Sequence, residues 1–153
     1  MANKVTDIDR GYGQFLSAMS RLTTRRYVVV GVRKGSKGRG GVDLATIAAV
    51  HEFGSTDGRI PERSFIRSTY DRKIAGYTAK VAVGLGKAVL GLTSADEVLD
   101  DLGRTMAADV VATIDAGIAP PNAPSTLRRK NGTKPLVDTG ALRAAISHEV
   151  RKA

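Results

Sequence analysis

Residues 94–117 constrain the fold more than any other stretch. Ser94-Ala-Asp-Glu97 has the S-x-x-E spacing in which a serine oxygen and a glutamate carboxylate satisfy each other's backbone donors, so it opens a helix. Asp96 and Glu97 put negative charge in the first turn, where the helix dipole favours it. Val98, Leu99, Leu102, Met106, Val110, Val111 and Ile114 then form one apolar stripe, and Gly117 stops the run. A second long helix is predicted from Ser64, its cap, to Leu92. Ile66, Tyr70, Ile74, Tyr77, Val81, Leu85, Val89 and Leu92 line one side of it. Gly76, Gly84, Gly86 and Gly91 each cost about 1 kcal/mol relative to Ala inside a helix, so a kink or a close helix–helix contact is predicted near 84–86.

Shorter elements surround this pair. Ile8, Tyr12, Phe15, Met19 and Leu22 recur at helical spacing after a capping-box pattern at Thr6 to Asp9, and Arg21, Arg25 and Arg26 close that helix with positive charge. Tyr27-Val-Val-Val-Gly-Val32 reads as a buried strand. Residues 33–41 are nearly all glycine and cations and read as a mobile surface loop. Asp43 to Phe53 reads as a short helix. Asp43 is its N-cap, Leu44, Ile47, Ala48 and Val50 or His51 form its inner face, and Gly54 ends it. Residues 118–135 hold four prolines and no regular periodicity, which marks a functional or flexible loop. Leu136 to Gly140 leads into a short helix at Ala141–Ile146, and 147–152 alternates like an edge strand able to pair with 27–33. The resulting expectation is one α+β domain over 1–153. Its small antiparallel sheet is packed by three or four helices, two of them long, with extended flexible loops at 33–41 and 118–135.

Net charge is +9 over 153 residues, and it is segregated. Residues 94–117 carry six acids against one base, a net of −5, which leaves +14 elsewhere. An acidic helix in a basic chain suits self-assembly, with one copy's acidic face meeting the next copy's basic loops, and equally suits a solvated helix. The chain has no cysteine, which excludes disulfides and Cys-ligated zinc. No stretch approaches the roughly 18 apolar residues of a membrane span, and the start does not read as a signal peptide, so residence in a cytoplasm is expected unless a larger particle carries the chain out.

Catalytic constellations are not evident. His51-Glu52 lacks the second histidine of H-E-x-x-H, His148 is the only other histidine, and the glycines at 31–41 do not form a phosphate-binding loop. No catalytic, metal or cofactor residue is assigned, and no enzyme activity is expected. Two basic clusters are candidate interface or DNA-facing sites: Arg33, Lys34, Lys37 and Arg39, and Arg128, Arg129, Lys130 and Lys134. Both suit phosphates without sequence readout. Neither interleaves aromatics for base stacking, so solvation or contact with an acidic neighbour competes with direct DNA binding.

Two stretches carry a resemblance. His51-Glu52-Phe53-Gly54, followed by Ile60-Pro61-Glu62-Arg63-Ser64-Phe65-Ile66, resembles the HEFG … IPxRxFL pattern of small phage morphogenesis proteins. Residues 121–146, PNAPSTLRRKNGTKPLVDTGALRAAI, are similar to that family's P(L)xxSTxxxKGxxKPLxDTGxLxxSI ending. The chain thus resembles the tail-completion or neck (virion morphogenesis) proteins of long-tailed phages over 51–146. Ala145 stands where the family commonly has Ser, and the glycine-rich basic loop is longer than the family's.

The resemblance implies a structural virion protein at the head–tail junction, made in the host cytoplasm. It would form a ring, commonly a hexamer, that completes the tail and joins it to the head. Its implied partners are copies of itself, the tail tube or tail terminator, a head connector protein, and DNA passing through the channel by non-specific contacts; no membrane is implied. The motif residues His51, Glu52, Phe53, Gly54, Pro61, Phe65, Leu136, Asp138, Thr139, Gly140 and Leu142 read physically as fold determinants. Phe53 and Phe65 are expected to pack together, Asp138 and Thr139 to cap the helix after Gly140, and Lys134-Pro135-Leu136 to pin the exit of the long loop. The alternative reading is a free basic nucleic-acid-binding protein.

Overall fold

Helices α1 (Tyr12–Leu22), α2 (Leu44–Phe53), α3 (Arg67–Val89) and α4 (Ala95–Ala116) pack with a sheet of β1 (Arg26–Val32) and β2 (Ile146–Lys152). Single-turn helices α5 (Pro124–Leu127) and α6 (Ala141–Ala144) lie between α4 and β2. The computed structural model describes residues 11–22, 25–33, 35–128 and 133–153. The capping pattern at 6–9 and Ile8 fall outside these.

The frame is an antiparallel hairpin of α3 and α4, because contacts along one helix rise as those along the other fall. Thr69 Oγ1 meets Thr113 Oγ1 at 2.6 Å, Lys73 Nζ meets Asp109 Oδ1 at 3.1 Å, and Lys80 Nζ meets Asp101 Oδ2 at 2.6 Å. The close contact predicted near 84–86 falls at Gly84, where an added Cβ would lie 2.6 Å from Val98 Cγ1. The predicted capping box opens α4: Glu97 N donates to Ser94 Oγ at 3.2 Å, and Ser94 N donates to Glu97 Oε2 at 2.8 Å. The Thr93 hydroxyl, then the Ser94 backbone, holds the Glu97 carboxyl below the usual range.

The sheet is two-stranded and antiparallel, with Val28 opposite Val150 and Val30 opposite His148. Helix α4 crosses one face at Gly103, where a Cβ would come within 2.6 Å of both Val28 Cγ2 and His148 Cδ2. The other face carries Tyr27 and Val29, both exposed. Strand β1 is therefore half-buried rather than buried, because helices cover only one side of the sheet.

The core gathers Ala48, Phe65, Val110, Ile114, Leu136 and Leu142, so it draws on α2, the approach to α3, α4 and the chain's last third. This is the α+β architecture read from the sequence, with differences in detail. Helix α3 starts at Arg67 rather than Ser64. Helix α6 ends at Ala144, and Ile146 already belongs to β2. The buried face of α3 holds Thr69, Tyr77 and Ala88, in line with the contacts to α4, whereas Tyr70, Ile74 and Leu85 of the predicted stripe are exposed. Leu92 lies in the turn after α3 and is exposed too.

Candidate assembly site

The two motif stretches meet in space, and one buried charge, Arg63, joins them. Leu44, Ala48 and Glu52 are the buried residues of α2, spaced one helical repeat apart on a single face. Glu52 is only 6% exposed, and it caps α3. Its Oε1 accepts from Ser64 Oγ at 2.6 Å and from Arg67 N at 2.9 Å, and its Oε2 accepts from Ile66 N at 2.9 Å. The N-cap residue of α3 is Ile66, whose side chain offers no oxygen, so a carboxylate from the preceding helix does the work. Ser64, predicted to cap α3, donates to that carboxylate instead. Phe53 follows Glu52 by about 100° of helical rotation, so burial of Glu52 turns Phe53 outward. Phe65 is fully buried while Phe53 is 69% exposed, so the predicted packing of the two rings does not occur.

Gly54 has φ +79°, and a Cβ there would sit 3.2 Å from both Glu62 N and Ile60 O. Glycine thus fits both the backbone and the close approach of the returning chain. Pro61 is exposed on that return. His51 O then accepts from Arg63 N at 2.7 Å. Arg63 is buried, and its guanidinium donates to the carbonyls of Pro120 (Nε, 2.7 Å) and Pro121 (a terminal nitrogen, 3.0 Å). Burial pushes its pKa below the ordinary arginine value. The entry to loop 118–135 is therefore clamped to the first motif. At the exit, Lys134 Nζ donates to Asp115 O at 2.7 Å, and Asn122 Nδ2 donates to Thr133 O at 3.0 Å across the loop. Leu136 is buried with φ +62°, an unusual conformation for leucine. Gly140, at φ +80°, occupies the N-cap position of α6. Gly140 rather than Asp138 or Thr139 is the N-cap, with Thr139 Oγ1 accepting from Ala141 N at 3.3 Å just before it, and Leu142 enters the core.

These pieces enclose a depression of about 300 Å³, lined by Gly38, Leu44, Ile47, His51, Asn122, Thr126, Leu136, Asp138, Thr139, Ala141 and Leu142. Both loops singled out in the sequence thus reach one rim, together with residues of both motifs. The first loop is tied there by backbone bonds: Gly38 N to Val42 O at 2.8 Å and Leu44 N to Ser36 O at 2.7 Å, with a 3₁₀ turn at Arg39–Gly41. Asp43 occupies the predicted N-cap position of α2, but its Oδ1 accepts from Gly35 N at 3.1 Å rather than from the helix. Arg33, Lys37, Arg128 and Lys134 are exposed, while Lys34, Arg129 and Lys130 lie outside the described residues.

The acidic helix is matched within the chain. Arg26 pairs with Asp96, His148 Nε2 with Asp100 at 2.9 Å, Lys80 with Asp101, Lys73 with Asp109, and Arg143 with Asp115 at 2.7 Å. Such pairs are individually weak at a surface, but together they turn α4's carboxylates toward cations of β1, α3 and α6 and the imidazole of β2. The hydrogen bond from His148, then that from Arg104, holds the Asp100 carboxyl below its ordinary value. Burial, then the bond to Asp109, pushes Tyr77 up to about 12.

The capping role of Glu52 and the clamp of Arg63 were not read from the sequence. One signal was available for Glu52, which follows Leu44 and Ala48 on the apolar face of α2; Arg63 is the arginine of the IPxRxFL pattern, but nothing local shows that it meets residues 120 and 121. Among the described residues, no group of three or more His, Asp or Glu could hold a metal ion. No described helix is long and apolar enough to cross a membrane. In comparisons with known proteins, no family model, no curated protein and no solved structure matches the chain.

Proposed function

We propose that this chain is a structural subunit of the head–tail junction of a tailed phage, one copy of a ring that completes the tail and joins it to the head. One observation carries the reading. Arg63, a buried charge of the first motif, is spent on the carbonyls of Pro120 and Pro121, and with the backbone bonds at 36–44 this brings loops 33–41 and 118–135 to one rim with the second motif. A motif used this way serves to hold loops in place for a neighbour. The rigid part is the helical frame; the loops are the docking parts, against copies of the chain, the tail tube or terminator, and a head connector. The internal pairing of α4 favours loops and apolar surfaces, not the acidic helix, as the sites of contact between copies.

Deleting residues 125–134 tests the reading. The shortened chain is expected to fold but to leave heads and tails unjoined in a complementation assay. Normal infectious particles built with it would refute the interface role. The second reading, a free nucleic-acid binder, draws on the exposed Arg33, Lys37, Arg128 and Lys134. It requires that the free chain retain duplex DNA on a gel with steep salt dependence.

A further inference from the structure

Two apolar surfaces lie uncovered at different ends of α3. The first is a groove of about 510 Å³ beside β1, on the side away from β2. Val30, Val32, Ala49, Tyr77, Met106 and Val110 are among its lining residues, and Phe53 and Tyr70 stand at its rim, 69% and 44% exposed. Among the described residues, no backbone hydrogen bond reaches the outer edge of β1.

The second surface is α1. Tyr12, Phe15, Leu16 and Met19 are 68%, 44%, 48% and 41% exposed, while Ala18 is the buried residue. The exposed row has the i, i+3, i+4, i+7 spacing by which a helix anchors in a partner's groove. Residues 12–20 contain no charged side chain, so the helix itself brings no charge into the contact. Leu90, Leu92 and Val83 are exposed at the same end of α3, 74%, 72% and 62%. At about 150–200 Å² per large apolar side chain, this end of the molecule offers on the order of 800 Å², what one partner contributes to a standard interface.

We infer that α1 of one copy seats in the α2–α3–β1 groove of the next copy. The helix does not fill its own groove. It lies against residues 88–95, whereas the groove takes its α3 residues from 66–77, at least ~16 Å away along the helix. At roughly 100–150 Å³ per side chain at interior packing density, the groove volume suits the three or four anchors of α1. Helix and groove are different surfaces, so the contact is head-to-tail, and such a contact closes into a ring when its rotation permits. The inference deepens the ring reading by naming the contact between copies.

The test uses the full-length chain. Phe15→Glu with Leu16→Glu spoils the helix, and Ala49→Arg, at an exposed position, fills the groove. By light scattering, wild type is expected to form one oligomer, each variant alone a monomer, and an equal mixture a dimer, because only one good contact remains between unlike variants. A mixture that stays monomeric, or a groove variant that still assembles like wild type, overturns the inference. A second readout holds even if the charged variants misfold. The chain has no cysteine, so Met19→Cys with Ala49→Cys should give a disulfide-linked ladder, and Met19→Cys alone should give none. Linking by Met19→Cys alone would place α1 against α1 and overturn the contact. A wild-type chain that is monomeric at every concentration also overturns it, while leaving the virion reading to its own test.

Discussion

Replacing Glu52 by alanine should unfasten α3 from α2. The substitution removes the acceptor for two backbone N–H groups, those of Ile66 and Arg67, and for the Ser64 hydroxyl. Truncating a helix cap costs about 0.5–2 kcal/mol, and leaving a buried donor without an acceptor costs about 1–3 kcal/mol. With three donors affected at a site only 6% exposed, the loss for Glu52→Ala should be about 3–4 kcal/mol. Glu52→Gln keeps the shape and one acceptor oxygen but turns an NH₂ toward a donor, so it should lose about 1–2 kcal/mol. Against a total stability of about 5–15 kcal/mol, the alanine variant gives up a large share, equivalent to a fall in Tm of roughly 10 °C. Urea unfolding followed by circular dichroism measures this, with Glu62→Ala as the control. Glu62 is exposed and, among the described residues, pairs with Arg67 on the surface, so that change should stay within about 0.5 kcal/mol. A Glu52→Ala variant as stable as wild type, or a Glu62→Ala variant equally damaged, would refute the capping argument.

Gly84→Ala should cost about 1–3 kcal/mol through the clash with Val98. Gly86→Ala, two residues away with nothing within 4 Å, should gain up to about 1 kcal/mol; a common sign for the two in thermal melts would contradict the packing. Arg63→Met removes both bonds to the proline carbonyls and should speed proteolysis within 118–135; unchanged cleavage kinetics would contradict the clamp. The hydrogen bonds from His148 and Arg104 hold the Asp100 carboxyl below the usual carboxylate range, so its stabilisation is present above that range and fades as the pH falls through the lowered value. Wild type should therefore lose stability more steeply than Asp100→Asn below about pH 4, and parallel urea midpoints across that range would count against the His148 and Arg104 contacts.

The fold was legible wherever local chemistry and periodicity agreed. Ser94 and Glu97 satisfy each other within one turn, so the start of α4 could be read directly, and its stripe from Val98 to Ile114 is the one the core uses. Gly84 could be placed at a close helix contact because glycine is costly inside a helix without a reason. What escaped depends on neighbours distant in sequence. Glu52 caps a helix that begins fifteen residues later, and Arg63 meets carbonyls at 120 and 121. Gly103 lies under Val28 and His148 from the two strands. Periodicity alone ran Tyr70, Ile74 and Leu85 into one stripe, but α4 covers only the neighbouring face of α3. At the candidate site, the loops and motif residues were visible in the sequence. Their convergence on one rim was not, because it is set by Arg63 and by the backbone bonds at 36–44.

If, as proposed, this chain builds a particle by docking to like and unlike chains, it must be part of the finished particle. Mass spectrometry of purified virions, combined with imaging of particles that carry a label on this chain, tests that most directly. The chain is expected in every particle at a fixed copy number, with the label in one ring at the head–tail junction. Virions that contain none of it would contradict the account.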